Sequence, residues 1–506
     1  MTCILAYDVG TSGCKAILIT PGGEIVAKDF EPYPTHYPKP LWAEQDVDDW
    51  WRAVAATTRR LLASTGINPQ DVLSLSFSSQ MLNTIPVDAQ GRLLRPCISW
   101  LDGRAWQEAH QVMARLGGER LFTLIVGGGI TGKDLIPKYL WLKKNEPEVY
   151  SGAAAFMDCG NYILFRATGK MVCELSNASV TGMLNLKSKR WDTTMMRLFG
   201  LAPEKFPPLV RSIDAVGGLT NQAAADLGLR SEIPVFGGAG DAMCTAIGAG
   251  AVEEGDAQLC LGTSGYVTIT TAKRFTGRQG VFSLQSADPD KLLLIAESET
   301  VGACLVWAAR ALYCAEPQAE TFELMDRDVA SVEPGSGNLI FTPWLYGERC
   351  PIPDESLRGG FINLSANHSR AQMARAIYEG VAYNFRWILD LLQEKYGFEC
   401  NPLRVIGGGA KGLPWLEIVA GVTGRTLLSA ANPREASAYG AALIAAVGLG
   451  IYPSIASTKK IVPVVHSVEP DSSHQKVYGQ LYPAFRQIYP ALRGLYHELN
   501  REQEIK

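Results

Sequence analysis

One short pattern occurs twice in this chain: a strand running into a tight polar turn. Asp8-Val9-Gly10-Thr11-Ser12-Gly13 closes the first strand, and Leu261-Gly262-Thr263-Ser264-Gly265 closes another near mid-chain. Glycine lets the backbone turn sharply and expose its N–H groups, and the hydroxyls add donors. Gly10, Thr11, Ser12 and Gly13, and again Gly262 and Thr263, can therefore hold phosphate oxygens. Asp8 stands at the shoulder of the first turn, where a carboxylate can hold hydrated Mg²⁺ against such phosphates, with Lys15 near enough to add positive charge. A plain hairpin with an acid beside it would look the same alone. Its recurrence in both halves is what favours phosphate.

A second acid follows a glycine run, Gly237-Gly238-Ala239-Gly240-Asp241, between an apolar strand at 233–236 and a small-residue helix at 242–250. From such a turn a carboxylate can accept the proton of a hydroxyl as its oxygen attacks a γ-phosphate. Asp is also a common helix N-cap, and both readings stand. Gly407-Gly408-Gly409-Ala410-Lys411-Gly412 fits G-x-G-x-x-G after a strand at 403–406, yet the next strand, 426–429, ends without the acid a dinucleotide site requires. Close approach of adenine or ribose to this loop is the better reading. Gly127-Gly128-Gly129-Ile130-Thr131-Gly132-Lys133 imitates a P-loop, but Asp134 stands where Ser or Thr must meet Mg²⁺, so it is read as a flexible loop.

The elements that must position these residues follow an α/β pattern. Periodicity and glycine punctuation predict strands at 4–7, 16–20, 24–30, 72–77 and 84–87, and helices from Asp46 through Val54, at 106–115 and at 137–144. Strands at 257–261 and 266–271 open a second copy of the same grammar, which suggests two duplicated lobes with the hinge held within 210–246. A charge-free stretch at 436–458 is interrupted by Gly448, Gly450 and Pro453. It reads as a buried helix at 436–447 and a turn, not a membrane span.

A chain of 506 residues exceeds one compact core, and 47% apolar with 19% charged residues is globular composition. A net charge of -4 and the lack of a basic run give no reason to expect nucleic acid or an anionic membrane as partner. The 11 cysteines contain no C-x-x-C pair, the six histidines are dispersed, and the N-terminus lacks a basic leader segment. These features predict a cytoplasmic protein without disulfides or a transition metal. The sequence does not fix an oligomeric state, and a homodimer is left open.

Taken in order, the segments resemble the FGGY family of carbohydrate kinases, within the actin-like and hexokinase-like ATPases. The matching pieces are Asp8 to Gly13, Trp100-Leu101-Asp102-Gly103-Arg104, Pro137-Lys138-Tyr139-Leu140-Trp141, Gly240-Asp241, Leu261 to Gly265, Tyr346-Gly347-Glu348-Arg349 and Gly407-Gly408-Gly409-Ala410. Leu41-Trp42-Ala43-Glu44-Gln45-Asp46, Trp50-Trp51 and Ser79-Gln80-Met81 resemble its xylulokinase branch. The resemblance implies ATP and Mg²⁺ as cofactors and a ketopentose such as xylulose, or a polyol, as substrate. It implies Asp241 as catalytic base and Asp8 as the acid that organises the metal. Thr11, Ser12, Thr263 and Gly302 would then lie around the phosphates, with Gly408, Gly409 and Ala410 near adenine. Gln80, Met81, Leu82, Trp100 and Asp102 would lie on the sugar side with Asp241.

Three positions depart from that pattern. Leu82 stands where the branch carries a histidine, Cys350-Pro351-Ile352-Pro353-Asp354 lacks its Thr-Pro-His, and Asn363 replaces a more usual glycine. The expected fold is two ribonuclease-H-like α/β lobes, 1–246 and 247–506, each with a mixed five-stranded sheet, and a cleft between them. The first lobe would hold the sugar and the second the nucleotide. A kinase for another ketose, polyol or sugar acid remains as an alternative, as does a sugar-sensing protein without turnover. A chaperone-type ATPase is disfavoured by the segment around Trp100, and the intact Asp8 and Asp241 weigh against loss of turnover.

Overall fold

The computed structural model describes residues 1–118 and 130–500. The run 127–129 of the P-loop imitation lies outside the described residues. Asp134, beyond it, accepts from the Thr131 N–H (2.6 Å) and hydroxyl (3.1 Å).

The first sheet is built from β1 (Cys3–Val9), β2 (Gly13–Ile19) and β3 (Ile25–Pro32), which form an antiparallel meander, and β4 (Val72–Ser79), parallel to β1. Helix α1 (Val47–Thr65) precedes β4, and α2 (Cys159–Thr168) follows it. The sheet is completed by β5 (Ala215–Gly218), β6 (Pro234–Phe236) and β7 (Ala239–Gly240), in the order β5-β6-β4-β1-β2-β3, with β7 also on β4. Helix α3 (Asp241–Gly248) then leads to the second sheet: β8 (Ala257–Leu261), β9 (Gly265–Thr271), β10 (Val281–Gln285) and β11 (Leu292–Ser298). After α4 (Gly302–Ala311) and the long α5 (Arg370–Tyr396) come β12 (Leu403–Ile406), α6 (Leu413–Thr423), β13 (Leu427–Ala430), α7 (Ala436–Gly448), β14 (Val464–Val468) and α8 (Ser472–Leu499). The second order is β10-β11-β9-β8-β12-β13-β14.

Each sheet therefore has seven strands instead of the expected five. The duplicated core is present in both: three antiparallel strands and two parallel ones, β3-β2-β1-β4-β6 and β11-β9-β8-β12-β13. The additions are antiparallel edge strands, β5 on β6, β10 on β11 and β14 on β13, together with the two-residue β7. The segment 210–246, expected to hold the hinge, mostly supplies β5, β6 and β7, because Val216, Val235 and Phe236 bury their side chains in the first lobe. The chain crosses over after α3. The strand expected at 84–87 pairs as Ile85–Val87 with Ala155–Met157, apart from the main sheet.

Strand alternation places the chemistry. In β1, Cys3, Leu5, Tyr7 and Val9 face Trp50 and Val54 of α1 and Ile163 of α2. Ile4 and Ala6 point the other way, to Met243 and Ile247 of α3 and Ala438 and Ala441 of α7. Asp8 is the next member of that second row. Leu293 and Ile295 of β11 join the same cluster, so the α3–α7 pair lies between the two sheets, with α7 against β1 and β4 despite its late position in the chain. The two helices approach backbone to backbone: a methyl at Gly440 would lie 1.8 Å from the Cys244 carbonyl oxygen, and one at Gly248 1.9 Å from that of Ala436. Overpacking of this kind costs on the order of 1–3 kcal/mol. The remaining core sits beyond the second sheet, where Leu259 and Val267 meet α5, α6 and α8. Among the described residues no helix is long and apolar enough to cross a membrane.

Candidate active site

The hairpin register sets Asp8 opposite Lys15. The ammonium meets Asp8 Oδ2 at 3.0 Å, and the carboxylate beside it holds Lys15 above its ordinary range. The other oxygen, Oδ1, accepts from Ser437 Oγ of α7 at 3.1 Å, and Ser437 shares a 2.6 Å hydrogen bond with Ser78 Oγ of β4. A residue from late in the chain thus fixes the carboxylate of the first hairpin. At the tip, Ser12 is exposed, while Thr11 is half-buried with its hydroxyl accepting from Trp100 Nε1 at 2.8 Å.

The second hairpin presents an exposed Thr263, and no acid precedes its turn. Its Gly262 carbonyl accepts from the Gly302 N–H at 2.8 Å, and its Thr263 carbonyl from the Val301 and Ala303 N–H groups. The start of α4 is therefore bound to the turn itself, and Gly302 serves close packing: a methyl there would lie 2.6 Å from Gly262 O. Gly407, with φ +94°, abuts Leu261 and Gly262, and Gly408, Gly409 and Ala410 form a 3₁₀ turn beside them with Gly408 exposed. The structure brings Gly262, Thr263, Gly302 and the 408–410 turn into one glycine-lined wall.

Asp241 opens α3, with Gly240 in the N-cap position, and its Oδ1 accepts from the Ala242 N–H at 2.7 Å. The residue is exposed at the surface of the turn. Loss of surrounding water, followed by the Asp8 charge and then Glu297 and Asp158, raises its carboxyl to about 7. Asp8 and Asp241, separated by more than 230 residues of sequence, therefore share one electrostatic site. A methyl at Gly240 would lie 2.2 Å from Met81 Sδ, which seats Met81 against the same turn.

Among the residues expected on the sugar side, Met81, Leu82 and Trp100 are partly exposed. Gln80 and Asp102 are not. Gln80 is buried, donating from Nε2 to Gln45 Oε1 at 2.8 Å, and Gln45 in turn donates to the Thr11 carbonyl. Asp102 is fully buried and its oxygens are taken by the Ala43 N–H (2.6 Å) and by Arg104, including Nη2 at 2.6 Å. It shapes the turn that presents Trp100.

Sequence reasoning assigned no role to the groups that hold these loops, although Lys138 and Glu348 stood in the matching segments. Leu82 adopts φ +65°, a left-handed conformation that is costly for a side chain of its size. Asp158 secures it by accepting from the Leu82 and Asn83 N–H groups at 2.9 and 3.0 Å, and Lys138 Nζ donates to the Leu82 and Ser99 carbonyls, both at 2.9 Å. Burial raises Asp158 to about 6 and lowers Lys138 to about 8. Glu348 accepts from Ser298 Oγ, the Glu299 and Arg349 N–H groups and Asn384 Nδ2, and burial lifts it to about 7. The available signal was a lone charge inside an apolar run, such as Asp158 after Ala155-Phe156-Met157.

The donor set can be matched to ligands. Asp8 is a single carboxylate, and the described residues contain no cluster of three His, Cys, Asp or Glu that could cage a metal. That suits Mg²⁺, which is held mostly through water and phosphate oxygens. Gly408, where an added methyl would meet open space, leaves room for a nucleotide against this wall, while Gly262, Gly302 and Gly409 serve its close packing.

The comparisons with known proteins agree. The N-terminal domain of the FGGY family of carbohydrate kinases matches residues 3–248, and the C-terminal domain matches residues 257–449. A xylulose kinase from Staphylococcus epidermidis is 32% identical over 95% of this chain and 95% of its own. The structure of a ligand-bound xylulose kinase from Lactobacillus acidophilus superimposes with a TM-score of 0.89 at 26% identity, covering 99% of this chain and 100% of that one. A gluconate kinase from the same organism gives a TM-score of 0.88 at 26% identity, covering 98% and 99%.

Proposed function

The chain belongs to the FGGY family of carbohydrate kinases, and from that premise we propose that Asp241 is the base that activates a hydroxyl of a ketose or polyol. As a member it uses ATP to phosphorylate a sugar or polyol. The observation that carries the assignment is the placement of Asp241 at the start of α3, exposed, with its carboxyl raised to about 7 in part by the charge of Asp8. A base poised there can take the hydroxyl proton at Oδ1 or Oδ2 as the sugar oxygen attacks phosphorus.

In this reading Asp8 and Lys15 divide the charge of the first hairpin: Asp8 would hold hydrated Mg²⁺, which would neutralise phosphate charge, and Lys15, paired with Asp8, would add positive charge beside it. Gly10, Thr11, Ser12, Gly13, Gly262 and Thr263 offer N–H and hydroxyl donors, and Gly408, Gly409 and Ala410 line the adenine side. Residues 1–246 would carry the sugar and 247–506 the nucleotide. Trp100, Met81 and Leu82 would line the sugar, and Gln80 and Asp102 would act from behind them. Cleft closure would exclude water, the competing acceptor.

A neutral sugar is favoured over a sugar acid, because the cations beside the Leu82 turn are already engaged: Lys138 by two carbonyls and Arg104 by Asp102 and Glu44. Coupled ADP release across D-xylulose, other ketoses, polyols and gluconate tests the reading. The highest kcat/KM is expected for a ketose or polyol. A preference for gluconate would overturn the neutral-sugar assignment, and ADP release independent of every sugar would overturn the base assignment.

A further inference from the structure

The catalytic turn rests on a buried acid that takes no part in the chemistry above. Glu174 is fully buried and stands at the start of the short helix Leu175–Ser179. Its Oε2 accepts from the Ser176 N–H (2.9 Å), the Ser176 hydroxyl and the Asn177 N–H (3.2 Å). Its Oε1 accepts from Ser212 Oγ at 2.6 Å. These two serines hold the two ends of the glycine turn. Ser176 Oγ accepts from the Gly240 N–H at 3.0 Å, and the Ser212 carbonyl accepts from the Gly238 N–H at 3.1 Å.

We propose that Glu174, through Ser176 and Ser212, is the positioning residue that fixes the Gly237–Gly240 turn and so aims Asp241 into the cleft. The hydroxyl of Ser176 works in both directions: its proton goes to Glu174, which leaves its lone pair facing the Gly240 amide. The amide that donates this hydrogen bond belongs to Gly240, the residue immediately before the base. A neutral acceptor is shortened and strengthened when its own proton is drawn by a carboxylate. The turn needs such support, because Gly238 takes φ +63° and its backbone touches Phe77, and glycine loses more freedom on ordering than any other residue. Without the clamp the fold retains its sheets, but Asp241 samples a wider range of positions. A displacement of about 1 Å at a reacting group can cost up to a hundred-fold in rate.

The inference rests on Asp241 as base, and the test separates the two. Ser176→Ala and Glu174→Gln are compared with Asp241→Asn, with kcat referred to nucleotide-binding sites counted by ADP titration, so that misfolded enzyme does not enter. Amide hydrogen exchange is followed in a peptide spanning 237–243. Ser176→Ala and Glu174→Gln should each lower kcat about ten- to a hundred-fold, leave the KM for ATP within about twofold, and speed exchange in that peptide while the β1 and β8 peptides keep their protection. Ser212→Ala, which leaves the Ser176 arm intact, should do the same to a smaller degree and stands in if either of the others fails to fold. Loss of kcat in Asp241→Asn with unchanged kcat and exchange in the clamp variants overturns the clamp and leaves the base. Retained kcat in Asp241→Asn overturns both.

Discussion

The two Gly-Thr-Ser-Gly hairpins have the same tetrapeptide and the same strand pairing but different surroundings. The first is preceded by Asp8, pinned by Lys15 across the hairpin and by Ser437 from α7, and its threonine is tied to Trp100 on the sugar side. In the second the equivalent position, two residues before the turn, is the uncharged Cys260, paired across the hairpin with Tyr266, while Leu261, like Val9 in the first, joins a core. Its turn is bound through backbone carbonyls to the start of α4. Duplication supplied a phosphate-sized turn twice, and the residue two positions before each turn, Asp8 or Cys260, decides whether it also carries charge. The first hairpin is therefore suited to metal and reaction, and the second to holding the nucleotide in place.

The largest effects should fall on the side that bears the acids. Asp241→Ala should lower kcat by about 10²–10⁴, the range for losing a general base, with the KM for ATP little changed. Asp8→Asn keeps shape but removes charge, and should lower kcat by about 10²–10³, with part of the loss recovered at high Mg²⁺. Identical Mg²⁺ titration curves for wild type and Asp8→Asn would remove the metal from the first hairpin. The pH profile tests the coupling between the acids. A base must be ionised, so kcat/KM should rise with pH and level off above about 7. In Asp8→Asn the repelling anion is gone, ionisation of Asp241 becomes easier, and the rise should move to lower pH. An unmoved rise would separate the two carboxylates.

A smaller and different effect is expected at the second hairpin. Gly302→Ala forces a methyl to within 2.6 Å of Gly262 O, so the turn proposed to hold the nucleotide must shift. Steady-state kinetics should show the KM for ATP raised about tenfold, as expected for lost uniform binding, with kcat within about threefold of wild type. A large fall in kcat at unchanged KM would erase the division of labour between the hairpins.

Features that depend on local pattern were legible in the sequence. Strand alternation and the Gly-Thr-Ser-Gly turns revealed two lobes, the helix at 106–115, and the positions of Asp8, Thr263 and Asp241 on their turns. What escaped was nonlocal. The edge strands β5, β10 and β14 are half-exposed additions with weak periodicity, so a five-stranded core was read where seven strands pair. The position of α7 on the first sheet, which brings Ser437 to Asp8, depends on close packing at Gly440 and Gly248 and has no local signal. Asp102 belongs to a nonlocal network too: the sequence alone does not show that the Ala43 amide and Arg104 bind its oxygens.

The smallest effect concerns the sugar and should touch neither hairpin. Leu82 is held in its left-handed conformation by Asp158 and Lys138, while its side chain leans partly on the apolar cluster around Leu135, Ile136 and Tyr139. Its exposed part offers the sugar a surface that cannot hydrogen-bond. A hydroxyl buried against it goes unpaired, at a cost of about 1–3 kcal/mol, or roughly ten- to a hundred-fold in kcat/KM toward the upper end. D-xylulose should therefore be a poor substrate beside a ketose or polyol that is apolar, deoxygenated or differently configured at that point. Leu82→His should move the ratio of kcat/KM values toward D-xylulose by about tenfold or less, because the left-handed backbone, which histidine tolerates better than leucine, is retained. The KM for ATP and the Mg²⁺ titration should stay at wild-type values, since both hairpins are untouched. Wild type that prefers D-xylulose to every other sugar, or a ratio unmoved by Leu82→His, would remove Leu82 from the choice of substrate. A shift in the KM for ATP instead would show that the turn acts on the first hairpin, through the bonds that join Gln80 to Gln45 and Gln45 to Thr11.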